Sequence, residues 1–597
     1  MKTLITLLLL LPSVAFANGV SGGSRGGYHE YLNFLLIMID DVGRFDLNIS
    51  GSDNAVEDFS IPVMDILKTQ GMTMRNFHAS HVCASTRNSV MTGWNSLRTL
   101  EWRGPSVTGM NREQPKYPMM INDTRPQYEV GYFGKSGVAE SRTPTWNNQR
   151  DDGLPPYDMT SGYPWGPNRE IRYGFDFFDG FKGTEVSTNN TQWRRAEMVQ
   201  PEDPGYDPND SRTWWNYPCA SSIDRVNTSF TPSYPYYEGT AECDTFSTEV
   251  ITDTTKAWIK DQVDSGSPYV AWVSYTTAHT PHSDPALDGS RWCLTAGCPE
   301  LQQTGSLDSR MMYHLDKEIG YLLMDVDLSN TIVMIVGDNG SSTTSEGAAG
   351  REGKGTLTEY GINVGAIILG AGIPANTSTL YFHSVADIIP TLAEMTGFEL
   401  PTTMPNVLDD GRLNGQTGPA VFSGTSFLST LRNNQLANNT TAENYTGNQF
   451  MFSARDNVYR VDTTLAVGDD GTQDPEFRTA VTYFNCECAS EADRIKYCSF
   501  TAGPTGMTEQ MYTMTRDYAD TGETIADQQA TRGGARFVQD NAADATALEQ
   551  ITLDVIRAKL ADELEFMYQG RTPTALPFSG NPWERCIEEP YIGAQVP

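Results

Sequence analysis

The sequence predicts an α/β protein in which a sheet lies between layers of helices. Near-continuous apolar runs bounded by turn residues are typical of strands that are buried on both faces of a parallel sheet. Four such runs occur: YLNFLLIMIDDVG, SPYVAWVSYTTAHTPH, NTIVMIVGDNGS and NVGAIILGAG. Helical patterns lie between them, and an alternation of strands and helices is characteristic of the α/β class.

The helical segments between the runs have recognisable ends. The segment IPVMDILKTQG has Pro62 in its first turn, an apolar face and Gly71 as a stop. A second amphipathic segment, MMYHLDKEIGYLLMDV, directly precedes the third run. A third segment, HSVADIIPTLAEMTG, follows the fourth run, and we expect Pro390 to mark its start.

A chain of 597 residues is long enough for more than one domain. We expect residues 18–445 to form the α/β domain. Within it, residues 140–245 are rich in aromatic residues, proline and asparagine, and we interpret them as inserted loops that either shape a substrate cleft or form a solvated decoration. Strand-like segments and the amphipathic segment ATALEQITLDVIRAKLADELEFMYQG predict a smaller C-terminal α+β domain at 446–597.

The first residues, MKTLITLLLLLPSVAFANGV, have the pattern of a signal peptide at 1–17. A lysine precedes a short apolar run, and the small residues of AFA predict cleavage after Ala17. The alternative is an uncleaved anchor, but the run is too short to span a bilayer and no later stretch is long and apolar enough. We expect a secreted protein, or a periplasmic or lumenal one depending on the host. Sequons for N-glycosylation agree with export, and they occur at Asn48, Asn122, Asn189, Asn209, Asn227, Asn376 and Asn444.

The formal net charge is −33, and the acidic residues are spread along the chain. We therefore expect no nucleic-acid partner, because binding a phosphate backbone needs a basic patch. An anionic substrate would need a local positive pocket in such a protein.

The chain has nine cysteines, so one of them lacks a partner if all the others pair. Cysteines of an exported protein usually form disulfides. Cys293 and Cys298 are close in sequence, and Cys219 with Cys243 is another plausible pair. Four more lie in the last quarter of the chain and allow two further bridges: Cys486, Cys488, Cys498 and Cys586. That spacing favours Cys83 as the unpaired thiol, while the alternative is that another cysteine is unpaired and Cys83 is bridged.

Polar side chains follow three of the four apolar runs, where each predicted strand ends. They are Asp40 and Asp41, His279, and Asp338 and Asn339. Each group alone is most simply a turn or a cap. Together they indicate a site, because ligands of α/β sheets bind beyond the carboxyl ends of the strands. Carboxylate and amide oxygens select Ca²⁺ or Mg²⁺ over zinc, and the amide favours calcium.

A second set of residues supplies positive charge near a cysteine. Cys83 precedes a segment that can begin a helix, and a helix N-terminus attracts anions. Arg87 follows four residues later and can donate a forked pair of hydrogen bonds to sulfate or phosphate oxygens. Lys135 and Lys354 each lie in a glycine-rich loop, although either alone is most often a surface lysine. A divalent metal beside such cations fits the hydrolysis of a charged ester.

These residues resemble the sulfatase family of the alkaline-phosphatase-like superfamily. The resemblance is carried, in order between residues 32 and 430, by a series of motifs: FLLIMIDDVG, IPVMDILKTQGMTMRNFHAS, CASTRNSVMTG, GYFGKSG, YGFDFFDGF, AHTPH, GDNG, GKGTLTEYGINV and DIIPTLAEMTG. It implies a large mixed, mainly parallel sheet sandwiched by helices. It also implies sulfate ester hydrolysis, with sulfated polysaccharide or aryl sulfates as extracellular substrates.

The resemblance further implies a role for each candidate residue. Cys83 would be oxidised to formylglycine by a formylglycine-generating enzyme, and one hydroxyl of the hydrated aldehyde would bind one Ca²⁺ ion and attack sulfur. The other calcium ligands would be Asp40, Asp41, Asp338 and Asn339. Arg87 would orient and stabilise the diol, and Lys135 and Lys354 would bind sulfate oxygens. His279 would help to protonate the leaving alcohol, either alone or with Lys354.

Two residues depart from the family pattern. Ser85 stands where the cysteine signature has proline or alanine, and Gly137 stands where the lysine motif has histidine. His78 and His81 are candidates to replace that histidine. These departures keep two alternatives open, namely a phosphoester or phosphonate hydrolase on the same scaffold and a catalytically impaired protein that binds sulfated glycans.

Overall fold

A computed structural model of the protein describes most of the predicted α/β domain and one further sheet near the C-terminus. The described residues are 31–49, 59–96, 116–135, 137, 175–181, 196–198, 215–216, 247–279, 291–292, 307–341, 354–355, 359–379, 383–407, 413–419, 422–432, 450–456, 477–484, 494–503, 506–515 and 536–539. The predicted signal peptide, most of the 140–245 insertion and the amphipathic segment after residue 544 lie outside these ranges.

The strands and helices follow one another in this order along the chain. The strands are β1 (Asn33–Ile39), β2 (Met72–Met74), β3 (Phe77–His78), β4 (Glu129–Lys135), β5 (Phe177–Phe181), β6 (Ala196–Met198), β7 (Trp215–Asn216), β8 (Tyr269–Tyr275), β9 (Thr331–Gly337), β10 (Ala366–Gly370), β11 (Thr377–Thr379), β12 (His383–Ser384), β13 (Thr403–Val407), β14 (Leu413–Pro419), β15 (Phe450–Asp456), β16 (Phe477–Phe484), β17 (Arg494–Gly503), β18 (Gly506–Thr515) and β19 (Arg536–Gln539). The helices are α1 (Pro62–Gln70), α2 (Cys83–Thr92), α3 (Tyr117–Thr124), α4 (Ser247–Ser265), α5 (Leu307–Leu323), α6 (Glu359–Ile362), α7 (Ile388–Thr396) and α8 (Leu428–Arg432).

The central sheet has ten strands in the order β11-β2-β10-β9-β1-β8-β4-β5-β6-β7. Its middle five strands, from β9 to β5, are parallel. The four apolar runs are β1, β8, β9 and β10, as predicted. However, β10 is antiparallel to both β9 and β2, so a parallel direction for the fourth run is wrong. An apolar run predicts that both faces of a strand are buried. It does not predict the direction of the strand, which depends on the path of the chain between strands.

The sandwich arrangement is visible in β1. Phe34, Leu36 and Met38 pack in one apolar cluster with residues of α2, α3 and α7. Leu35, Ile37 and Ile39 pack in a second cluster with residues of α1, α4 and α5. Because alternate residues of a strand point to opposite faces, the sheet is covered by helices on both sides. The predicted mixed, mainly parallel sheet sandwiched by helices is therefore confirmed.

The three predicted helical segments are α1, α5 and α7. Asp316 of α5 accepts hydrogen bonds from the backbone N–H groups of Val63 (3.0 Å) and Met64 (2.8 Å), and thereby caps the start of α1. Helix α7 begins at Ile388, so Pro390 lies in its first turn and not at its first residue. A 3₁₀ turn at Val385–Asp387 with a capping box between Ser384 and Asp387 precedes it.

Near the C-terminus, β15 to β19 form a five-stranded antiparallel sheet in chain order. The predicted strand segments FMFSARD and TAVTYF belong to β15 and β16. Of the nine cysteines, only Cys83 has a described side chain, and it is free. The predicted disulfides thus involve side chains outside the described residues. Among the described helices, none combines the length and the apolar character needed to cross a bilayer.

Candidate active site

Three strand ends meet at one edge of the central sheet, and backbone hydrogen bonds join them. Strands β8 and β9 flank β1 in parallel, so the residues that follow each strand are brought together. The N–H of Asp338 donates to the carbonyl of Ile39 (3.0 Å), and the N–H of Ala278 donates to the carbonyl of Asp40 (2.9 Å). The N–H of Asp41 donates to Asp338 Oδ1 (3.0 Å). The predicted meeting of these polar tips is observed.

Cys83 is the first residue of α2, so the helix predicted after it already includes it, and only 9% of its surface is exposed. Its Sγ lies 3.9 Å from Asp41 Oδ1, 3.2 Å from Lys354 Nζ and 3.6 Å from Lys135 Nζ. The free thiol therefore lies between two ammonium groups and beside a carboxylate at the strand edge.

The two lysines reach this point from different segments. Lys135 ends β4, and its Nζ donates to Asp40 Oδ2. Lys354 Nζ donates to Asp41 Oδ1 (2.6 Å). The backbone N–H groups of Lys354 and Gly355 donate to Ser341 O and His81 O, both at 2.8 Å, and hold this loop against the site.

Arg87 extends from the second turn of α2 into a fully buried position behind the aspartates. Its Nε and Nη2 donate to Asp338 Oδ2 at 3.2 and 2.9 Å. Its Nη1 donates to the carbonyl of Lys135 (2.7 Å), to Ser274 Oγ and, at 3.4 Å, to the hydroxyl of Tyr132. Arg87 thus fixes a carboxylate of the site, and its described hydrogen bonds are directed to that carboxylate and to the ends of β4 and β8.

The charges of this cluster shift the pKa values of its carboxyl groups in opposite directions. Burial opposes the charge on Asp40, but Lys135, His279 and Arg87 hold the pKa of Asp40 well below its ordinary value. Burial and the neighbouring Asp40 raise the pKa of Asp338 to about 7, against the effect of Arg87. Burial is also the main reason that the pKa of the Cys83 thiol is raised, and Asp338 and Asp40 add to it.

His279 lies in the turn that follows β8, with Nε2 at 3.8 Å from Asp41 Oδ2. The backbone N–H of His279 donates to the carbonyl of Thr276 (2.8 Å). In the same turn, the hydroxyl of Thr277 is hydrogen-bonded to the hydroxyl of Thr248 in α4 (2.9 Å). Burial lowers the pKa of His279, although Asp40 and Asp41 oppose this effect. The imidazole is therefore brought to the same carboxylate pair as the two lysines.

The residues present fit a divalent cation that prefers oxygen ligands. One potential ligand atom from each of Asp40, Asp41, Asp338 and Cys83 lies within 4.8 Å of those of the others. Asp40 Oδ1 and Asn339 Oδ1 are buried and accept no hydrogen bond from the described residues. Unsatisfied buried oxygens are costly unless a ligand completes them, and Ca²⁺ takes six to eight oxygen ligands. Asn339 Nδ2 donates to Asp41 Oδ1 (2.8 Å) and so orients both side chains.

A second buried cluster, formed by Glu249, His314 and Glu318, has a spacing that could also hold a metal. Here the cation is a side chain of the protein. Arg291 Nε and Nη2 donate to the two carboxylate oxygens of Glu318 at 2.8 and 2.7 Å. Its backbone N–H donates to Glu249 Oε1 (2.7 Å). This cluster joins the start of α4 to α5 and belongs to the scaffold.

The structure describes both residues that depart from the family pattern. Ser85 is fully buried in the first turn of α2, and its carbonyl accepts a hydrogen bond from Ser89 Oγ (2.9 Å). Gly137 follows β4 with a positive φ of 56°. Both positions are therefore close in the chain to candidate active-site residues.

The sequence did not point to Tyr132 and Ser274. Tyr132 donates to the carbonyl of Lys135 (2.5 Å), and both hydroxyls contact Arg87. The two residues lie inside apolar strands, where a hydroxyl is most simply interpreted as part of the core. The one available signal was the position of Ser274, near the carboxyl end of β8.

The sequence profile of the sulfatase family matches residues 32–398, which is more than half of the chain. The chain belongs to the sulfatase family. This sulfatase is 24% identical over 438 residues to arylsulfatase G of Rattus norvegicus, covering 68% of this chain and 70% of that protein. It is 22% identical over 454 residues to a protein named sulfatase of Formosa agariphila, covering 68% of this chain and 75% of that one.

Two solved structures share the fold of the sulfatase. One is BT4656 in complex with its substrate D-glucosamine-2-N,6-O-disulfate, with a TM-score of 0.51 at 13% identity, covering 92% of this chain and 100% of that chain. Another is the phosphonate monoester hydrolase SpPMH from Silicibacter pomeroyi, with a TM-score of 0.51 at 14% identity, covering 89% and 95%. The expected alkaline-phosphatase-like fold is confirmed, and the protein is a sulfuric ester hydrolase of that superfamily.

Proposed function

We propose that this protein is an exported, calcium-dependent sulfatase that acts on extracellular sulfate esters through a formylglycine formed from Cys83. The observation that carries this proposal is the position of the free Cys83 thiol, 3.2 Å from Lys354 Nζ and 3.6 Å from Lys135 Nζ. A formylglycine-generating enzyme would be its partner during maturation. The signal peptide at 1–17, the catalytic domain at 18–445 and the C-terminal domain at 446–597 are part of the same proposal.

Calcium would be held by Asp40, Asp41, Asp338, Asn339 and the modified side chain of residue 83. When bound, the ion would supply positive charge to a sulfate ester, and a formylglycine at residue 83 would supply the attacking hydroxyl of its hydrated aldehyde. The chemistry of these four side chains supports calcium, because three carboxylates and one amide provide the hard oxygen ligands that this ion prefers. The two unsatisfied oxygens, Asp40 Oδ1 and Asn339 Oδ1, support it as well.

The remaining roles follow from contacts of the side chains. Lys135 and Lys354 flank Cys83 and would bind sulfate oxygens, where positive charge stabilises the transition state. His279 Nε2 would hold the proton that the leaving alcohol takes up. Arg87 would act through Asp338, because its hydrogen bonds are directed to that carboxylate.

The substrate class is proposed as sulfated polysaccharide or aryl sulfate. A structural neighbour carries a disulfated glucosamine as its substrate, and a sequence relative is named arylsulfatase G. Three cations, Lys135, Lys354 and Arg87, lie among the three carboxylates of the site. Together with a bound metal ion they would offset the negative charge of a sulfate ester.

The test combines the chemical state of residue 83 with turnover. The protein is expressed in an aerobically grown host together with the formylglycine-generating enzyme. Peptide mass spectrometry is then expected to show the aldehyde at residue 83. Sulfate release from an aryl sulfate should then depend on calcium and be lost in Cys83→Ala. An unmodified thiol together with no release would reject the proposal, and faster cleavage of the matched aryl phosphate would favour a phosphoester hydrolase instead.

A further inference from the structure

Gly137 lies directly against Arg87. Its φ of 56° is in the left-handed region, which glycine adopts without strain. A Cβ atom at this position would lie 2.8 Å from Arg87 Cδ and 3.1 Å from Arg87 Nε. Carbon atoms that are not bonded pack at about 3.5–4.0 Å, so any side chain here would push on Arg87.

Arg87 has little room to give way. Its side chain is fully buried, and the atoms that a Cβ would meet are in the middle of the side chain. One end is fixed by helix α2, and the guanidinium is fixed by Asp338, Ser274 and the carbonyl of Lys135. A shift of Nε would directly lengthen its 3.2 Å hydrogen bond to Asp338.

We propose that Gly137 is a positioning residue, whose missing side chain lets the backbone after β4 close on Arg87 and hold the guanidinium on Asp338. The functional part of this inference rests on the proposed sulfatase mechanism, but the packing part does not. With this backbone, a histidine at position 137 would require Arg87 to move, because its Cβ would lie 2.8 Å from Arg87 Cδ.

The kinetic test compares three glycine-to-alanine variants. Gly372 and Gly266 also have positive φ, at 76° each, and a Cβ at either position would meet no atom within 4 Å. All three alanines incur backbone strain, but only the one at 137 contacts Arg87. We expect Gly137→Ala to lower kcat about 100-fold with a much smaller change in KM, since small misplacements in an active site have effects of that size. Gly372→Ala and Gly266→Ala should keep the wild-type kcat, and a wild-type kcat in Gly137→Ala would overturn the proposal.

A histidine variant separates this inference from the view that the motif has simply lost a useful residue. If Arg87 needs the space, Gly137→His should be slower than Gly137→Ala, because the larger side chain cannot be accommodated. An increase in kcat above that of the wild type would contradict the positioning role.

A melting-temperature cycle tests the packing without any turnover. The background Arg87→Ala/Asp338→Asn removes the atoms that crowd position 137 and leaves no lone buried charge. In the wild type, Gly137→Ala should lower the melting temperature more than Gly372→Ala does. In the Arg87→Ala/Asp338→Asn background, the two substitutions should lower the melting temperature by equal amounts. If Gly137→Ala alone does not fold, recovery of a folded protein in the background supports the inference, and failure there overturns it. A wild type without sulfatase activity would reject the proposed function, while this cycle would still decide the role of Gly137.

Discussion

Asp338 Oδ2 accepts hydrogen bonds from both Nε (3.2 Å) and Nη2 (2.9 Å) of Arg87 in a fully buried pair. This pair links helix α2, which begins with Cys83, to the end of the central strand β9. The carboxylate that completes the proposed calcium site is therefore oriented by the same helix that begins with Cys83, the proposed precursor of the nucleophile.

Arg87→Lys keeps the positive charge but loses the planar guanidinium, which donates hydrogen bonds from three nitrogen atoms. A lysine cannot donate to Asp338, Ser274 and the carbonyl of Lys135 together, so we expect kcat/KM to fall by at least about tenfold. The matched control is Arg125→Lys, since Arg125 Nε donates to the carbonyl of Gly397 (2.8 Å), at the end of helix α7 and not to a residue of the candidate site. Equal kinetics for the two variants in an aryl sulfate assay would argue against the orienting role.

Lys354→Gln removes one of the two ammonium groups beside Cys83. We expect a loss of about 10²–10³ in kcat, which is the usual effect of removing one donor to developing negative charge. Lys256→Gln is the control, because Lys256 pairs with Asp325 at 2.7 Å outside the site. Initial-rate kinetics on an aryl sulfate, with circular dichroism to confirm folding, would show the difference. An unimpaired Lys354→Gln would remove this lysine from the mechanism.

Thr248→Val tests how His279 is held. Thr248 Oγ1 is hydrogen-bonded to Thr277 Oγ1 at 2.9 Å, two residues before the histidine. Thr252, one helical turn later in α4, makes an equivalent 2.9 Å hydrogen bond to the hydroxyl of Tyr275, within β8. Thr248→Val loses its hydrogen bond to Thr277, and Thr252→Val loses the one to Tyr275 and a further one, of 2.7 Å, to the carbonyl of Thr248. Each lost hydrogen bond is expected to lower the stability by about 1 kcal/mol. Only Thr248→Val is expected to slow the release of alcohols with a high pKa. The same slowing in Thr252→Val would point to a general loss of packing.

Calcium removal should destabilise the folded protein. A ligand at 100 times its dissociation constant stabilises by about 2.7 kcal/mol, so a chelator is expected to lower the melting temperature reversibly. Asp40→Asn should reduce this calcium-dependent shift, because it alters a proposed calcium ligand whose buried Oδ1 accepts no hydrogen bond from the described residues. Asp325→Asn, at a carboxylate paired with Lys256, should keep it. A shift that is unchanged in Asp40→Asn would place the calcium elsewhere.

His383 predicts a loss of stability in acid that is separate from the active site. Burial lowers the pKa of His383 from 6.5 to about 3, and its neighbour Asp387 has a pKa raised by burial to about 7. The imidazole is therefore neutral in the folded protein, while the unfolded chain takes up a proton below about pH 6.5. The contribution of His383 is complete above that pH and is lost as the pH falls toward 3, by at most about 1.4 kcal/mol per pH unit. Asp387 acts in the opposite direction below pH 7, because its raised pKa lets the folded protein bind a proton before the unfolded chain does. The comparison with His383→Gln separates the two: in urea unfolding, the stability of the wild type relative to His383→Gln should fall between pH 7 and pH 5, and a constant difference would contradict the assignment.

Much of the scaffold was predictable from local patterns. The burial of β1, β8 and β9 was predictable because a strand covered on both faces must be apolar along its whole length. The polar residues after these strands were recognisable as a site because parallel strands place their carboxyl ends at one edge. A helix after Cys83 was predictable, and α2 includes Cys83 as its first residue.

Other features depended on contacts between residues that are distant in the chain. The antiparallel direction of β10 is set by the path of the chain between β9 and β10, and the apolar run is the same in either direction. The role of Ser274 depends on Arg87, 187 residues away, so no local pattern could indicate it.

The sequence by itself determined the α/β class, the family motifs and the residue types at the strand ends, because hydrophobic periodicity and turn chemistry are local properties. The tertiary structure alone decided that Arg87 is directed to Asp338 and that Gly137 leaves space for it. Both depend on the distances between side chains brought together by folding, and those distances are not encoded in any single segment.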